Sequence, residues 1–308
     1  MSDSKPTSPV NRRDFVSSAG KTAAAAAIFS ALQTRLAAED EVAEAAGGRI
    51  NHSVCKWCYG SIPLEDLAVA GKAFGLQSIE LLQPSEVPTI QKHGLTCALV
   101  SNPTAKTATG KKVGGIPEAW NRVEHHDALV EAYEQQIKDT VAIGLDNVIC
   151  FSGNRNGLDD EEGLKNCAVG LKRLMPIAEK AGVKITMELL NSKVNHPDYM
   201  CDHTDWGVAL CKAVGSDNFK LLYDIYHMQI MEGDVIATIR KNHSFISHYH
   251  TGGVPGRNEI DETQELFYPA IMKAIVESGF KGYVAQEFIP KRDDKLASLE
   301  QGVTICTV

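Results

Sequence analysis

From about residue 50 onward, short apolar runs alternate with longer amphipathic ones eight times over, and few architectures accept that pattern. The strand candidates are Ser53–Trp57, Ser78–Leu82, Thr96–Val100, Asn147–Phe151, Lys184–Leu189, Phe219–Asp224, Phe245–His250 and Tyr283–Phe288. Helical spacing fills the intervals: Pro63–Phe74, a long stretch over Glu118–Ile143, Glu161–Ala181 broken at Pro176, Thr204–Val214, Gly233–Asn242, Glu265–Ser278 and a last segment near Asp293–Gln301. Gly75, Gly144, Gly182, Gly215 and Gly279 fall where left-handed helix C-caps belong. Eight such repeats in about 260 residues predict an α/β chain folded as one (β/α)8 TIM barrel, with a domain over 46–308. A doubly wound open sheet would want a glycine-rich phosphate loop after the first strand. Cys55-Lys56-Trp57-Cys58-Tyr59-Gly60 is not one.

The residues ahead of the barrel read differently. Asn11-Arg12-Arg13-Asp14-Phe15-Val16 is a twin-arginine pattern, followed by an alanine-dominated run from Ala19 to Leu32 that is too weak to span a membrane. Residues 1–45 are therefore expected to be a twin-arginine export signal, which would place the protein outside the cytoplasm and make the export machinery a partner. The formal charge of −8 provides no electrostatic footprint for nucleic acid. Of the eight cysteines, Cys97 and Cys150 lie inside apolar runs and no zinc-ribbon spacing is present, so free and mostly buried thiols are expected. Homo-oligomerisation is left open.

In a barrel of this kind the chemistry sits where strands end. Four successive strands end at a metal-type ligand: Glu188, Asp224, His250 and Glu287. Together they would set three carboxylates and one imidazole around one point, a donor set that suits one divalent ion, Mn2+ or Mg2+, with Co2+ or Zn2+ also accepted. His227, three residues past Asp224, is placed to bind a substrate oxygen or orient a ligand. Arg257, on a glycine-rich loop, could grip a carboxylate or sugar hydroxyls. Trp57 and Lys56 at the first strand end, and Asn191 beyond the fifth, are pocket candidates, and His248 alternates with His250 along one face. His125 and His126 are expected to face solvent.

Tyr223-Asp224-Ile225-Tyr226-His227-Met228-Gln229-Ile230-Met231-Glu232-Gly233-Asp234, with Glu188-Leu189-Leu190-Asn191-Ser192, Pro255-Gly256-Arg257-Asn258-Glu259 and Gln286-Glu287-Phe288, resembles the hydroxypyruvate isomerase family of the xylose-isomerase-like barrels. That resemblance implies that Glu188 and Glu287 are the paired proton-transfer groups, both binding the metal with Asp224. It also implies proton movement between adjacent carbons of an α-hydroxycarbonyl compound through an enediolate, with hydroxypyruvate going to tartronate semialdehyde. A histidine at 250, where that family usually carries glutamine, looks more like ketose 3-epimerases. An exported keto-sugar epimerase, isomerase or dehydratase is thus the alternative. A sugar-binding protein and an abasic-site endonuclease rank lower. The endonuclease needs extra histidine ligands, and Glu80-Leu81-Leu82-Gln83 and Ser101-Asn102-Pro103 supply none.

Overall fold

Parallel strands buried on both faces make the frame. The computed structural model describes residues 49–308, so the twin-arginine stretch lies outside the described residues. Seven strands form one parallel sheet in the order β2-β1-β9-β8-β7-β6-β5. They are β1 (Asn51–Cys55), β2 (Ser78–Glu80), β5 (Asn147–Cys150), β6 (Lys184–Glu188), β7 (Phe219–Asp224), β8 (Ile246–Thr251) and β9 (Tyr283–Gln286). Residues 96–100 close the gap between β2 and β5. Thr96 bridges Ser78, while Val100 bridges both Leu82 and Val148. This third barrel position was expected to be a regular strand and is not one. Backbone hydrogen bonds still tie Thr96, Leu99 and Val100 to the neighbouring strands, but at Ala98 side chains take the ladder's place: its amide donates to Ser78 Oγ (2.9 Å) and its carbonyl accepts from Asn147 Nδ2 (3.3 Å). A small antiparallel ribbon, β3 (Ala105–Lys106) with β4 (Lys112–Val113), follows.

The helices pack outside this ring: α1 (Leu64–Ala73), α2 (Val87–Gln91), α3 (His126–Ala142), α4 (Asp160–Ala181), α5 (Thr204–Val214), α6 (Ile225–Met231), α7 (Val235–Asn242), α8 (Tyr268–Glu277) and α9 (Lys295–Cys306). The five glycines expected at helix ends all have positive φ. Helix α4 runs unbroken through Pro176, its buried stripe of Leu171, Leu174, Met175 and Ala178 holding it against the sheet. The long helix expected from Glu118 begins only at His126. Residues 119–121 are held in a loop, because His125 Nδ1 binds Ala119 O, His126 Nε2 binds Trp120 O (both 2.9 Å) and the Asn121 amide donates to Ser152 O. Both histidines are accordingly buried, which corrects the expectation that they face solvent. His126 lies against Gly170, where an added Cβ would come within 2.7 Å of the ring.

Strand alternation divides the side chains. Ile185, Met187, Leu221, Tyr223, Tyr249 and Val284 join the hydrophobic core that the helices cover. The other parity points into the barrel: Ser53 Oγ donates to Ser78 Oγ (2.9 Å) and Thr186 Oγ1 to Asn147 Oδ1 (2.6 Å). The register of β8 against β7 slips between Leu221↔Ile246 and Leu222↔His248, so Ser247 is an extra residue at a bulge. All eight cysteines are free and buried.

His52, buried on β1, ties the first strand to the chain's end through Nε2 and Thr307 Oγ1 (3.0 Å), and burial lowers its pKa to about 4. The folded state therefore favours neutral His52. Its contribution is fully present above the ordinary histidine pKa of about 6.5 and is lost as pH falls toward 4, by about 3 kcal/mol in total. Urea unfolding at pH 7 and pH 4.5 should show a smaller acid-induced loss in His52→Gln than in the parent. Equal losses would remove His52 from the acid sensitivity.

Candidate active site at the barrel mouth

The inward parity that gives Ser78, Thr186, Leu222 and His248 in one layer gives Glu80, Glu188, Asp224 and His250 two residues further along. Glu287 joins them one residue past β9, its amide donating to Thr251 O (3.1 Å). Glu188, Asp224, His250 and Glu287 each offer a ligating atom within 4.8 Å of the others, and all four are buried. These are the four strand-end residues singled out by sequence, and β6, β7, β8 and β9 are consecutive around the sheet. His250 Nδ1 lies 2.7 Å from Glu287 Oε2 and 3.5 Å from Glu188 Oε1.

Arg257 enters from the following loop. Gly253 donates to Asn258 O and accepts from the Arg257 amide, and a Cβ at 253 would stand 2.2 Å from Glu259 O, so the loop closes tightly only on glycine. Arg257 takes a left-handed φ of 58° and turns its side chain inward. Its Nη2 donates to Asp224 Oδ2 (3.2 Å) and to Glu287 Oε2, and its Nε donates to the Glu287 carbonyl (3.2 Å). The guanidinium stacks over Trp57 (5.2 Å) and Tyr226 (5.4 Å). Trp57, 46% exposed at the rim, donates its indole N–H to Glu287 Oε1 (2.8 Å). Lys56 turns away to bind Tyr59 O.

His227 lies in the first turn of α6, where the N-cap Asp224 accepts its amide N–H at Oδ1 (3.0 Å). Asn191 stands behind it, donating both its backbone N–H (3.1 Å) and its Nδ2 (2.6 Å) to His227 Nδ1. Two donors at Nδ1 leave the imidazole proton on Nε2, which lies 3.7 Å from Asp224 Oδ2. Burial, reinforced by Arg257, pushes the His227 pKa well below the usual histidine value and keeps the ring neutral. The remaining atoms of Asn191 serve its own loop, Oδ1 accepting from the Val194 and Asn195 amides. Its placement is behind His227 rather than on the open pocket.

The carboxylates are set apart by their surroundings. Burial raises Glu188, and the charge of Glu287 adds to it. Burial likewise pushes Asp224 up to about 8, with Arg257 offsetting only part. Glu287 goes the other way: Arg257 and His250 outweigh burial and hold it well below the usual carboxylate range. Like residues are thus held in unlike electrostatic surroundings. Glu188 Oε1 and His227 Nε2 are buried without a hydrogen-bond partner among the described residues, a costly state that a cation and a substrate oxygen would relieve. The residues present thus fit a divalent ion.

Glu80, noted in the sequence at the end of the second strand but given no role there, has the acid-at-strand-end pattern of Glu188, Asp224 and Glu287; it is fully buried beside His248 and His250. Tyr226 and His196, both packed on the His227 ring, have no signal in spacing alone.

Residues 87–303 match the model of the xylose isomerase-like TIM barrel family. A 2-oxo-tetronate isomerase of Cupriavidus necator is 29% identical over 73% of this chain and 87% of its own length. A Homo sapiens protein bearing the name hydroxypyruvate isomerase is 26% identical over 73% of this chain and 83% of its own. Among solved structures, AP endonuclease, family 2, from Brucella melitensis superposes with a TM-score of 0.69 at 25% identity, covering 82% of this chain and 96% of that one. A D-psicose 3-epimerase from Clostridium cellulolyticum shares the fold at 17% identity and a TM-score of 0.64, covering 84% of this chain and 100% of that one. The curated relatives have isomerase chemistry in common, and the chain is an isomerase. With the family model spanning most of the barrel and the strand-end carboxylates gathered at its mouth, the chain belongs to the xylose isomerase-like TIM barrel family.

Proposed function

We propose that the protein is a metal-dependent isomerase that moves a proton between adjacent carbons of an α-hydroxycarbonyl acid, with hydroxypyruvate converted to tartronate semialdehyde. The observation that carries this reading is the pair Glu188 and Glu287, buried at one mouth with Asp224 and His250, each offering a ligating atom within 4.8 Å of the others. Glu188, Asp224, His250 and Glu287 would hold one divalent ion. When bound, such an ion supplies positive charge that stabilises the oxyanions of an enediolate.

The chain's own groups do the rest. Of the pair Glu188 and Glu287, one takes the carbon-bound proton and the other returns one to the neighbouring carbon. The hydroxyl proton passes to the adjacent oxygen, to which the Nε2–H of His227, without a hydrogen-bond partner among the described residues, can donate. Arg257 faces the carboxylate of the substrate, and its stacking between Trp57 and Tyr226 fixes the plane of the fork. The relatives named for hydroxypyruvate and 2-oxo-tetronate support an acid substrate. An epimerase acting on neutral keto-sugars is the second reading, favoured by the histidine at 250. An abasic-site nuclease gains nothing from strand two, which contributes Glu80 and no histidine.

The test is a screen of α-hydroxycarbonyl compounds in deuterium oxide with added Mn2+, Mg2+, Co2+ or Zn2+, read by NMR. Deuterium should enter hydroxypyruvate, and Arg257→Lys should raise its KM about tenfold or more with a smaller change in kcat. Turnover of free keto-sugars with none of hydroxypyruvate would instead select the epimerase. Export of the protein by the twin-arginine route is part of the same proposal, and detection of processed protein outside the cytoplasm would test it.

A further inference from the structure

Below the carboxylate cluster the barrel interior is not apolar. Glu80, at the end of β2, is fully buried, and its Oε1 accepts from His248 Nε2 (2.8 Å) and from His250 Nε2 (2.9 Å). The two histidines sit two residues apart on β8, rings 5.2 Å apart and nearly perpendicular. His250 thereby spans two acidic groups: Nε2 faces Glu80 below, and Nδ1 faces Glu287 and Glu188 above. His248 in turn lines a cavity of about 610 Å³ on the far side of the barrel.

A buried carboxylate costs several kcal/mol unless its partners compensate, and a short apolar strand such as β2 could have ended in a hydrophobe. One use for the acid is a second cation held by Glu80, His248 and His250. The contacts favour a simpler one. Each Nε2 already makes a short, direct hydrogen bond to the same oxygen, and the Cys55 thiol adds longer contacts, 3.9 Å to Glu80 Oε1 and 3.6 Å to His250 Nε2. We propose that Glu80, itself held by His248, is a positioning residue for His250: its hydrogen bond to Nε2 fixes the ring so that Nδ1 stays turned to the point that Glu188 and Glu287 surround, where it would ligate the ion. Without that anchor the ring can flip or exchange tautomers, and either change withdraws the donor atom from the mouth. The inference rests on reading His250 as a ligand of the proposed ion.

Calorimetric titration of the metal-free full chain with Mn2+ tests it. Glu80→Gln should weaken binding roughly tenfold or more, as loss of a ligand's hydrogen-bond partner usually does. His250→Ala should weaken it further, and the double variant should bind no worse than His250→Ala alone, because Glu80 acts through that ring. Wild-type affinity in His250→Ala would defeat the ligand reading itself. A weakened His250→Ala beside an unchanged Glu80→Gln would defeat only the positioning role. Additive losses, or two ions bound by the parent and one by Glu80→Gln, would overturn it in favour of a second site. Melting of the metal-free variants checks folding. Should Glu80→Gln fail to fold, Glu80→Asp, one methylene short, must show the same His250-dependent loss in smaller degree.

Discussion

Glutamine at 188, or at 287, is expected to cut turnover by about 10²–10⁴-fold and to stop solvent deuterium from entering the substrate. Glutamine keeps the volume of the side chain but cannot accept or donate the proton. Glu188→Gln is the cleaner of the two. Among the described residues Glu188 Oε1 has no hydrogen-bond partner and approaches His250 Nδ1 at 3.5 Å, whereas Glu287 accepts from Trp57, His250 and Arg257 at once. Glu287→Gln must therefore lose part of that set and should also lower the melting temperature. Exchange that persists in either variant, with the protein folded, would take that residue out of the proton path. Persistence in both would leave the acid–base proposal with no proton carrier.

Chelation is expected to abolish activity, with recovery on return of a divalent ion. The same ion should stabilise the fold, by about 2.7 kcal/mol at a free concentration of one hundred times its Kd. For a domain of this size that is a rise in melting temperature of several degrees. Asp224→Asn sharpens the test. The asparagine oxygen can still cap the His227 amide at the start of α6, so the local structure keeps its anchor while the charge toward Arg257 and the ion is gone. Binding should weaken by more than the 10–100-fold typical of losing a ligand's outer hydrogen-bond partner. Full activity in metal-free protein, or unchanged ion affinity in Asp224→Asn, would exclude the site as drawn.

Much of the active-site layout follows from one local rule. In a strand buried on both faces an acid or imidazole is conspicuous, and Glu188, Asp224, His250 and Glu287 each stand where an apolar run stops. Parity then places them on the inner face, and their succession on four consecutive strands places them side by side. The helix ends are legible for a similar reason: Gly182 and Gly215 sit at left-handed caps that other residues enter at a cost.

The sequence by itself therefore determined the strand–helix alternation and the four residues at the barrel mouth, because strand parity and cap geometry depend on neighbours in the chain. Only the tertiary structure decided the rest. Burial of His125 and His126 depends on carbonyls of a loop that spacing cannot reveal, and that of His126 also on Gly170 of another helix. The irregular third barrel position depends on Ser78 and Asn147 reaching it from its two neighbours. Glu80 meets His250 across 170 residues, a hydrogen bond that exists only once the cylinder has closed.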